Sequence, residues 1–307
     1  MSGFASTYLV EPLLFPARFS GDSLGPHAVS LPIARERVGV EGLSDELLAA
    51  ARTRFGALLL PGAPPGGPRV RVFQAPPSDF VPLDLKGREL TMDVDWEEGG
   101  VRLAGPGFCA RLSHEVPRAA LFVPHGDPFA IGALENVLRV LTAYRLAEQG
   151  GALLHSAAVR HGGDGALLFP GRSGAGKTTL CTKSREEGRE VLSDELNAVF
   201  PGPAGPRIVA LPFAGDYGPA APGEERSLSA VVDLRKGAPG ERAHLAPLPR
   251  ARAIAQLFAR APFVNGDPYR RDRLFTSLER LFAEVPLKTL TFSLEEPVWP
   301  ALEESTS

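Results

Sequence analysis

This sequence predicts an α/β fold behind a β-rich N-terminal region. Three observations carry that prediction. Gly165 to Phe169 (Gly-Ala-Leu-Leu-Phe) is a short apolar run of the kind a buried strand uses. A glycine-rich octapeptide, Gly171-Arg172-Ser173-Gly174-Ala175-Gly176-Lys177-Thr178, follows at once, and Lys177 to Glu187 then reads as a helix with Gly188 just past its end. Residues 1–126, by contrast, break into short apolar runs separated by Pro and Gly, the mark of strands and turns.

The elements follow in order. In residues 1–126 the runs Ala57–Leu60, Val70–Phe73, Glu89–Val94 and Ala119–Val123 read as strands, Ser44 to Phe55 as a helix, and Pro61 to Pro68 as a rigid turn or loop. This region carries no chemical motif and is expected to cover the core or to bind a substrate or partner. A second domain is expected over 127–294. It opens on a helix that Asp127-Pro128 starts and Gly150-Gly151 ends, with Leu134, Val137, Leu138, Leu141 and Tyr144 on one face. Further on, Ser229–Leu234 reads as a buried strand, Arg250–Ala261 and Arg271–Glu284 as helices, and Val285–Phe292 as a last strand. The second of these helices lines up Leu274, Phe275, Leu278, Leu281 and Phe282. Residues 295–307 are acidic and polar and are expected to form a mobile tail.

The octapeptide fits G-x-x-x-x-G-K-[ST] without a mismatch, and it stands where that pattern has meaning, between a strand and a helix. Its glycines reach backbone angles closed to other residues. The loop N–H groups then turn inward as an anion nest, and the following helix adds the positive end of its dipole. Gly171, Ser173, Gly174, Ala175, Gly176, Lys177, Thr178 and Thr179 would wrap a chain of phosphates. Lys177 would put a charge on the outer phosphates, and the Thr178 hydroxyl would ligate a magnesium ion bridging them.

A second cluster defines the kind of site. Upstream stands Leu153-Leu154-His155-Ser156-Ala157-Ala158-Val159, and downstream Val191-Leu192-Ser193-Asp194-Glu195-Leu196-Asn197-Ala198-Val199. If Glu190–Ser193 is a strand running parallel to Ala166–Phe169, Asp194 emerges at its carboxyl end, where open α/β sheets bind ligands. An Asp-Glu pair after a strand is otherwise an ordinary polar turn, and a His on an apolar strand an ordinary core or edge residue. The phosphate loop about 20 residues upstream turns Asp194 into a candidate metal ligand or proton acceptor.

His155-Ser156-Ala157-Ala158, the loop and the acidic pair, in that order and spacing, resemble the nucleotide-binding core shared by HPr kinase/phosphorylase and ATP-dependent phosphoenolpyruvate carboxykinase. The resemblance covers about residues 130–235. It implies that Lys177 and Thr178 hold ATP and Mg²⁺, that Asp194 and Glu195 supply a metal ligand and a catalytic carboxylate, and that His155 lies near the transferred phosphate. It also implies a homo-oligomer and, as acceptor, a Ser or Thr of a small protein or peptide. The family pattern has Asp-Asp where this chain has Asp194-Glu195, and the segment linked to phosphate removal has no counterpart here. Two other functions stay open on the sequence: a nucleotide-binding regulatory or accessory module without transfer activity, and a kinase of a small metabolite.

Composition excludes other classes. The net charge of −3 leaves no basic footprint for nucleic acid. No run of 18 apolar residues suits a membrane span. Met1-Ser2-Gly3-Phe4 lacks a basic stretch and Glu11 interrupts the apolar run after it, so a cytoplasmic location is expected. The two cysteines, Cys109 and Cys181, have no metal or redox spacing, and Cys181 is expected in the core. Arg226 and Arg235 flank the 229–234 strand as candidate phosphate contacts, with no feature choosing between them. Leu211–Gly218, apolar with an acidic tip, reads either as an acceptor-side wall or as a packed surface loop.

Overall fold

The computed structural model describes residues 23–80, 92–115, 117–171, 174–213, 215 and 223–304. The protein is mixed α/β with two large mixed sheets. The chain divides into two compact units, Met1–Tyr144 and Arg145–Ser307. Among the described residues no helix is long and apolar enough to cross a membrane.

The first unit contains β1 (Ser23–Leu24), β2 (His27–Ile33), β3 (Glu36–Leu43), α1 (Asp45–Phe55), β4 (Leu60–Pro61), β5 (Arg69–Ala75), β6 (Asp93–Glu97), β7 (Gly100–Gly105), β8 (Phe108–Ser113) and β9 (Arg118–Pro124). They form one sheet in the order β4-β2-β3-β5-β9-β8-β7-β6, with β1 also on β5. The β3–β5 and β5–β9 pairs are parallel. A parallel pair needs a crossover, and α1 lies within the one between β3 and β5. Ser44 caps α1 by accepting from the Leu47 N–H, and Asp45 and Glu46 sit in its positive first turn.

Ala57–Leu60 is not a full strand. Gly56, at φ +54°, ends α1, and the chain continues into a 3₁₀ turn over Gly56–Leu58, so only Leu60–Pro61 pairs, with β2. Of Glu89–Val94, residues 89–91 lie outside the described residues and β6 begins at Asp93.

Helix α2 (Ala130–Glu148) buries Leu134, Val137, Leu138, Leu141 and Tyr144 as its periodicity predicts. The division between the units falls within it, not before it. The Arg54 guanidinium forks onto the Glu135 carboxylate at 2.6 and 2.8 Å, and the His114 and Tyr144 rings pack at 4.5 Å. Both contacts bind the helix to the first unit.

The second unit contains β10 (Ala152–His161), β11 (Gly165–Pro170), α3 (Lys177–Glu186), β12 (Val191–Ser193), β13 (Leu196–Phe200), β14 (Arg207–Ala210), β15 (Glu225–Lys236), β16 (His244–Pro247), α4 (Arg250–Ala259), α5 (Arg271–Leu281), β17 (Leu287–Phe292) and α6 (Trp299–Glu304). The sheet order is β11-β10-β13-β14-β15-β17-β16, and a further β11–β15 pairing closes its first five strands into a ring. Strands β11, β15 and β17 are mutually parallel. Strand β12 shares their sense, because both it and β11 run antiparallel to β10. The expected β11–β12 parallelism is therefore one of direction, with β10 lying between them.

One face of this sheet packs Ala157, Leu167, Phe169 and Leu290 against Leu180 and Cys181 of α3 and against Trp299 and Leu302 of α6. Burial pushes the Cys181 thiol up to about 12, in keeping with a core residue. The tail expected to be mobile thus forms α6 as far as Glu304. The Glu187 carboxylate accepts from the Val298 and Trp299 N–H groups, and the Trp299 indole N–H donates to Ser184 Oγ at 3.1 Å. Helix α3 is held at its far end by this clasp. In α5, Leu274, Leu278 and Leu281 are buried, as is Phe282 just beyond it. Phe275 departs from that stripe: it is partly exposed and stands edge-on to Phe258.

Candidate functional site

Strands β11, β12, β15 and β17 run in one sense, so their carboxyl ends open on one edge of the sheet. Four segments meet there: the phosphate loop after β11, Asp194-Glu195 after β12, Lys236 at the end of β15, and Ser293–Glu295 after β17. Open and closed α/β sheets alike bind ligands at the carboxyl ends of their parallel strands.

The loop has the required geometry where it is described. Gly174 and Gly176 have φ of +76° and +101°, and Gly176 is the left-handed residue from which α3 starts. A Cβ at Gly171 would stand 2.9 Å from the Ala175 Cβ, so the tight approach of the two ends of the loop needs a glycine. Arg172 and Ser173 lie outside the described residues. Lys177 is buried and folds back over the loop, its Nζ donating to the Gly171 carbonyl at 2.8 Å. Burial lowers its pKa; the Glu195 and Asp194 carboxylates oppose that, and the Arg260 charge adds to it. The lysine therefore sits in the field of both acidic candidates.

Asp194 and Glu195 interrupt what is otherwise one strand laid on β10. His155 pairs with Leu196 and Ala158 with Ser193, so no residue is inserted across the interruption, and the bulge falls one step earlier, at Leu192. Ser156 N–H still donates to Glu195 O at 3.1 Å. The Ser193 hydroxyl closes the turn, accepting from the Glu195 N–H and donating to Leu196 O. Buried Asn197 donates through Nδ2 to Ser156 O at 2.8 Å and to Ser156 Oγ at 3.0 Å, fixing the two strands beneath the site.

The result is a cleft of about 480 Å³ lined by His155, Lys177, Thr178, Asp194, Glu195 and Lys236, with Gly174, Gly176, Thr179 and Gly215 completing it. Every described candidate taken from the acidic pair and from His155 faces it. Asp194 is only 7 % exposed. Its carboxylate lies so close to Gly215 that a Cβ there would stand 2.2 Å from Oδ1. Of the Leu211–Gly218 segment, Leu211 and Phe213 are buried and Gly215 lines the cleft; Ala214 and Asp216–Gly218 lie outside the described residues.

Thr178, Asp194 and Glu195 offer a hydroxyl and two carboxylates. Among the described residues no three His, Cys, Asp or Glu side chains cluster as an all-protein metal cage. An all-oxygen partial set of this kind suits Mg²⁺, which keeps several waters and takes its remaining ligands from phosphates.

Two contributors have no signal in the sequence: Lys236 looks like a solvated strand end, and Arg260, in the turn after α4, acts on Lys177 while its carbonyl accepts the His155 N–H. Gly215 falls in the Leu211–Gly218 segment read as a possible acceptor-side wall, but nothing in the sequence distinguishes it there. Neither Arg226 nor Arg235 lines the cleft; Arg226 is buried and pairs with Glu224 at 2.6 Å. No protein-family model matches the chain, and no curated protein matches it.

Proposed function

We propose that this protein is an ATP- and Mg²⁺-dependent phosphotransferase, with a phosphate-loop core of the HPr kinase/phosphoenolpyruvate carboxykinase type and a hydroxyl acceptor. The observation that carries the reading is the convergence of Lys177, Thr178, Asp194, Glu195 and His155 on one cleft beside a glycine-rich loop that starts a helix. Phosphoryl transfer needs little covalent help from a protein; it needs positioning and charge neutralisation.

In this reading the loop N–H groups and Lys177 hold the phosphate chain. Thr178, Asp194 and Glu195 hold Mg²⁺, which when bound neutralises charge on the outer phosphates. Asp194 accepts the proton of the acceptor hydroxyl as the new O–P bond forms and the bond to the bridging oxygen of ADP breaks. His155, on the same cleft, orients the acceptor. The acceptor assigned is a Ser or Thr of a small protein or peptide, on the family resemblance.

The test is label transfer from γ-labelled ATP with Mg²⁺ in cell lysate. A labelled acceptor with the wild type and none with Lys177→Ala supports the proposal. Label moving equally with Lys177→Ala refutes it. A nucleotide-binding regulatory module is the second reading, favoured by Glu195 standing where the family has Asp. It predicts ATP binding and no labelled acceptor. Label on a metabolite and on no protein would assign the small-molecule kinase instead.

A further inference from the structure

The first unit holds a cavity of its own, of about 320 Å³, between the β7–β8 turn and the start of α2. Pro106, Gly107 and Phe108 come from the turn, and Gly132, Ala133 and Asn136 from the helix. Asp127 and Phe129, in the segment that leads into the helix, complete the lining. One carboxylate oxygen of Asp127 is used within the chain: Oδ1 accepts from the Phe129 N–H at 2.9 Å. Oδ2 is on the side of the β7–β8 turn, 3.3 Å from where a Cβ on Gly107 would stand. No other described residue makes a hydrogen bond or ion pair with this carboxylate, and none does with the Asn136 amide. Phe129 is 46 % exposed, and a Cβ on Gly132 would meet nothing within 4 Å.

The charges around the cavity decide what it suits. Glu135 is buried in its wall and is already answered: Arg54 forks onto it at 2.6 and 2.8 Å, and Arg139 donates to it at 2.6 Å. Both arginines are turned to Glu135, which leaves Asp127 as the lining carboxylate with no ion pair among the described residues. A partly desolvated carboxylate attracts a cation more strongly than one in open water. The other walls, Pro106, Phe108, Phe129 and Ala133, are apolar or aromatic, and an aromatic face attracts both a cation and a flat ring. The Asn136 amide adds an acceptor and two donors. A few polar groups set among apolar walls, in roughly 300–1,000 Å³, is the usual form of a small-molecule site.

We propose that this cavity binds a small organic amine, with its ammonium on Asp127 and its apolar or aromatic body against Phe129 and Phe108. An anion of the same shape would meet Asp127 as a like charge and is excluded. The unit that holds the cavity carries neither the phosphate loop nor the acidic pair, so the inference stands apart from the phosphotransferase reading.

The experiment is calorimetric titration of the full chain with tryptamine, and with indole-3-propionate as an anion of similar body, for wild type, Asp127→Asn, Gly132→Leu and Asp194→Asn. The first two variants keep the fold: Asn can still accept the Phe129 N–H, and leucine is a better helix residue than glycine. The wild type should bind tryptamine and not indole-3-propionate. Asp127→Asn should weaken tryptamine roughly tenfold, the scale of one charge-assisted hydrogen bond. Gly132→Leu, which puts a side chain into the cavity, should abolish binding. Asp194→Asn, in the cleft of the second unit, should bind tryptamine like the wild type. No binding of tryptamine by the wild type would overturn the proposal, as would equal binding of the anion. Wild-type affinity in Asp127→Asn or in Gly132→Leu would put the amine elsewhere and overturn it too, and so would loss of binding in Asp194→Asn.

Discussion

Gly215→Ala offers the sharpest structural perturbation of the cleft. A Cβ at that position would stand 2.2 Å from Asp194 Oδ1, 2.7 Å from Cγ and 2.9 Å from Oδ2. Comfortable non-bonded contact begins at about 3.5 Å, so the carboxylate must retreat by roughly 1 Å. A 1 Å misplacement of a reacting group costs about 100-fold in rate, which corresponds to about 2.7 kcal/mol of barrier. Turnover of γ-phosphate should fall on that scale. ATP affinity should persist, because Gly171, Lys177 and Thr178 are untouched. The assay is steady-state turnover beside direct ATP titration. A double-mutant cycle identifies the route: if Gly215→Ala acts through Asp194, adding it to Asp194→Asn costs little more. Wild-type turnover in Gly215→Ala would refute the reasoning, and so would full additivity with Asp194→Asn.

Three further predictions concern energetics. Burial lowers the Lys177 pKa below 10.5, so between that lowered value and 10.5 the unfolded chain binds the proton the folded chain has lost, and stability should rise with pH across the window. Lys177→Met should remove this rise of stability with pH while abolishing ATP binding, and a pH dependence identical to the wild type's in urea unfolding would contradict the assignment to Lys177. Asn197→Leu removes two donated hydrogen bonds and leaves a buried carbonyl short of a partner, which should cost about 1–3 kcal/mol in urea unfolding. Trp299→Ala should cost about 3–5 kcal/mol by the same assay, and a negligible loss would mean that α6 does not clasp α3.

The parts of this molecule that local chemistry determines were legible in the sequence. The Gly165–Pro170 strand, the loop and the Lys177–Glu186 helix follow from adjacent residues, and α2 follows from a repeated apolar stripe. The carboxylates could be located because they directly follow a strand. What depends on long-range pairing was not legible. Nothing local says that β15 pairs with β11 and closes a ring, or that Lys236 thereby reaches the loop. Gly215 matters only through its approach to Asp194, which no spacing encodes. Helix α6 was hidden by length: Val298, Trp299 and Leu302 supply its buried face within a single turn, and the surrounding glutamates gave the segment the composition of a tail. Phe275 fits the helical period of α5 and still stands partly exposed, because Leu274, Leu278 and Leu281 already fill the buried stripe.

The central claim is that Asp194 serves the chemistry of the cleft and the phosphate loop serves binding. The most direct test measures ATP binding and γ-phosphate transfer side by side, with Mg²⁺, in the wild type and Asp194→Asn. The account predicts that both proteins bind ATP and that only the wild type transfers phosphate. Transfer by Asp194→Asn at the wild-type rate would contradict it.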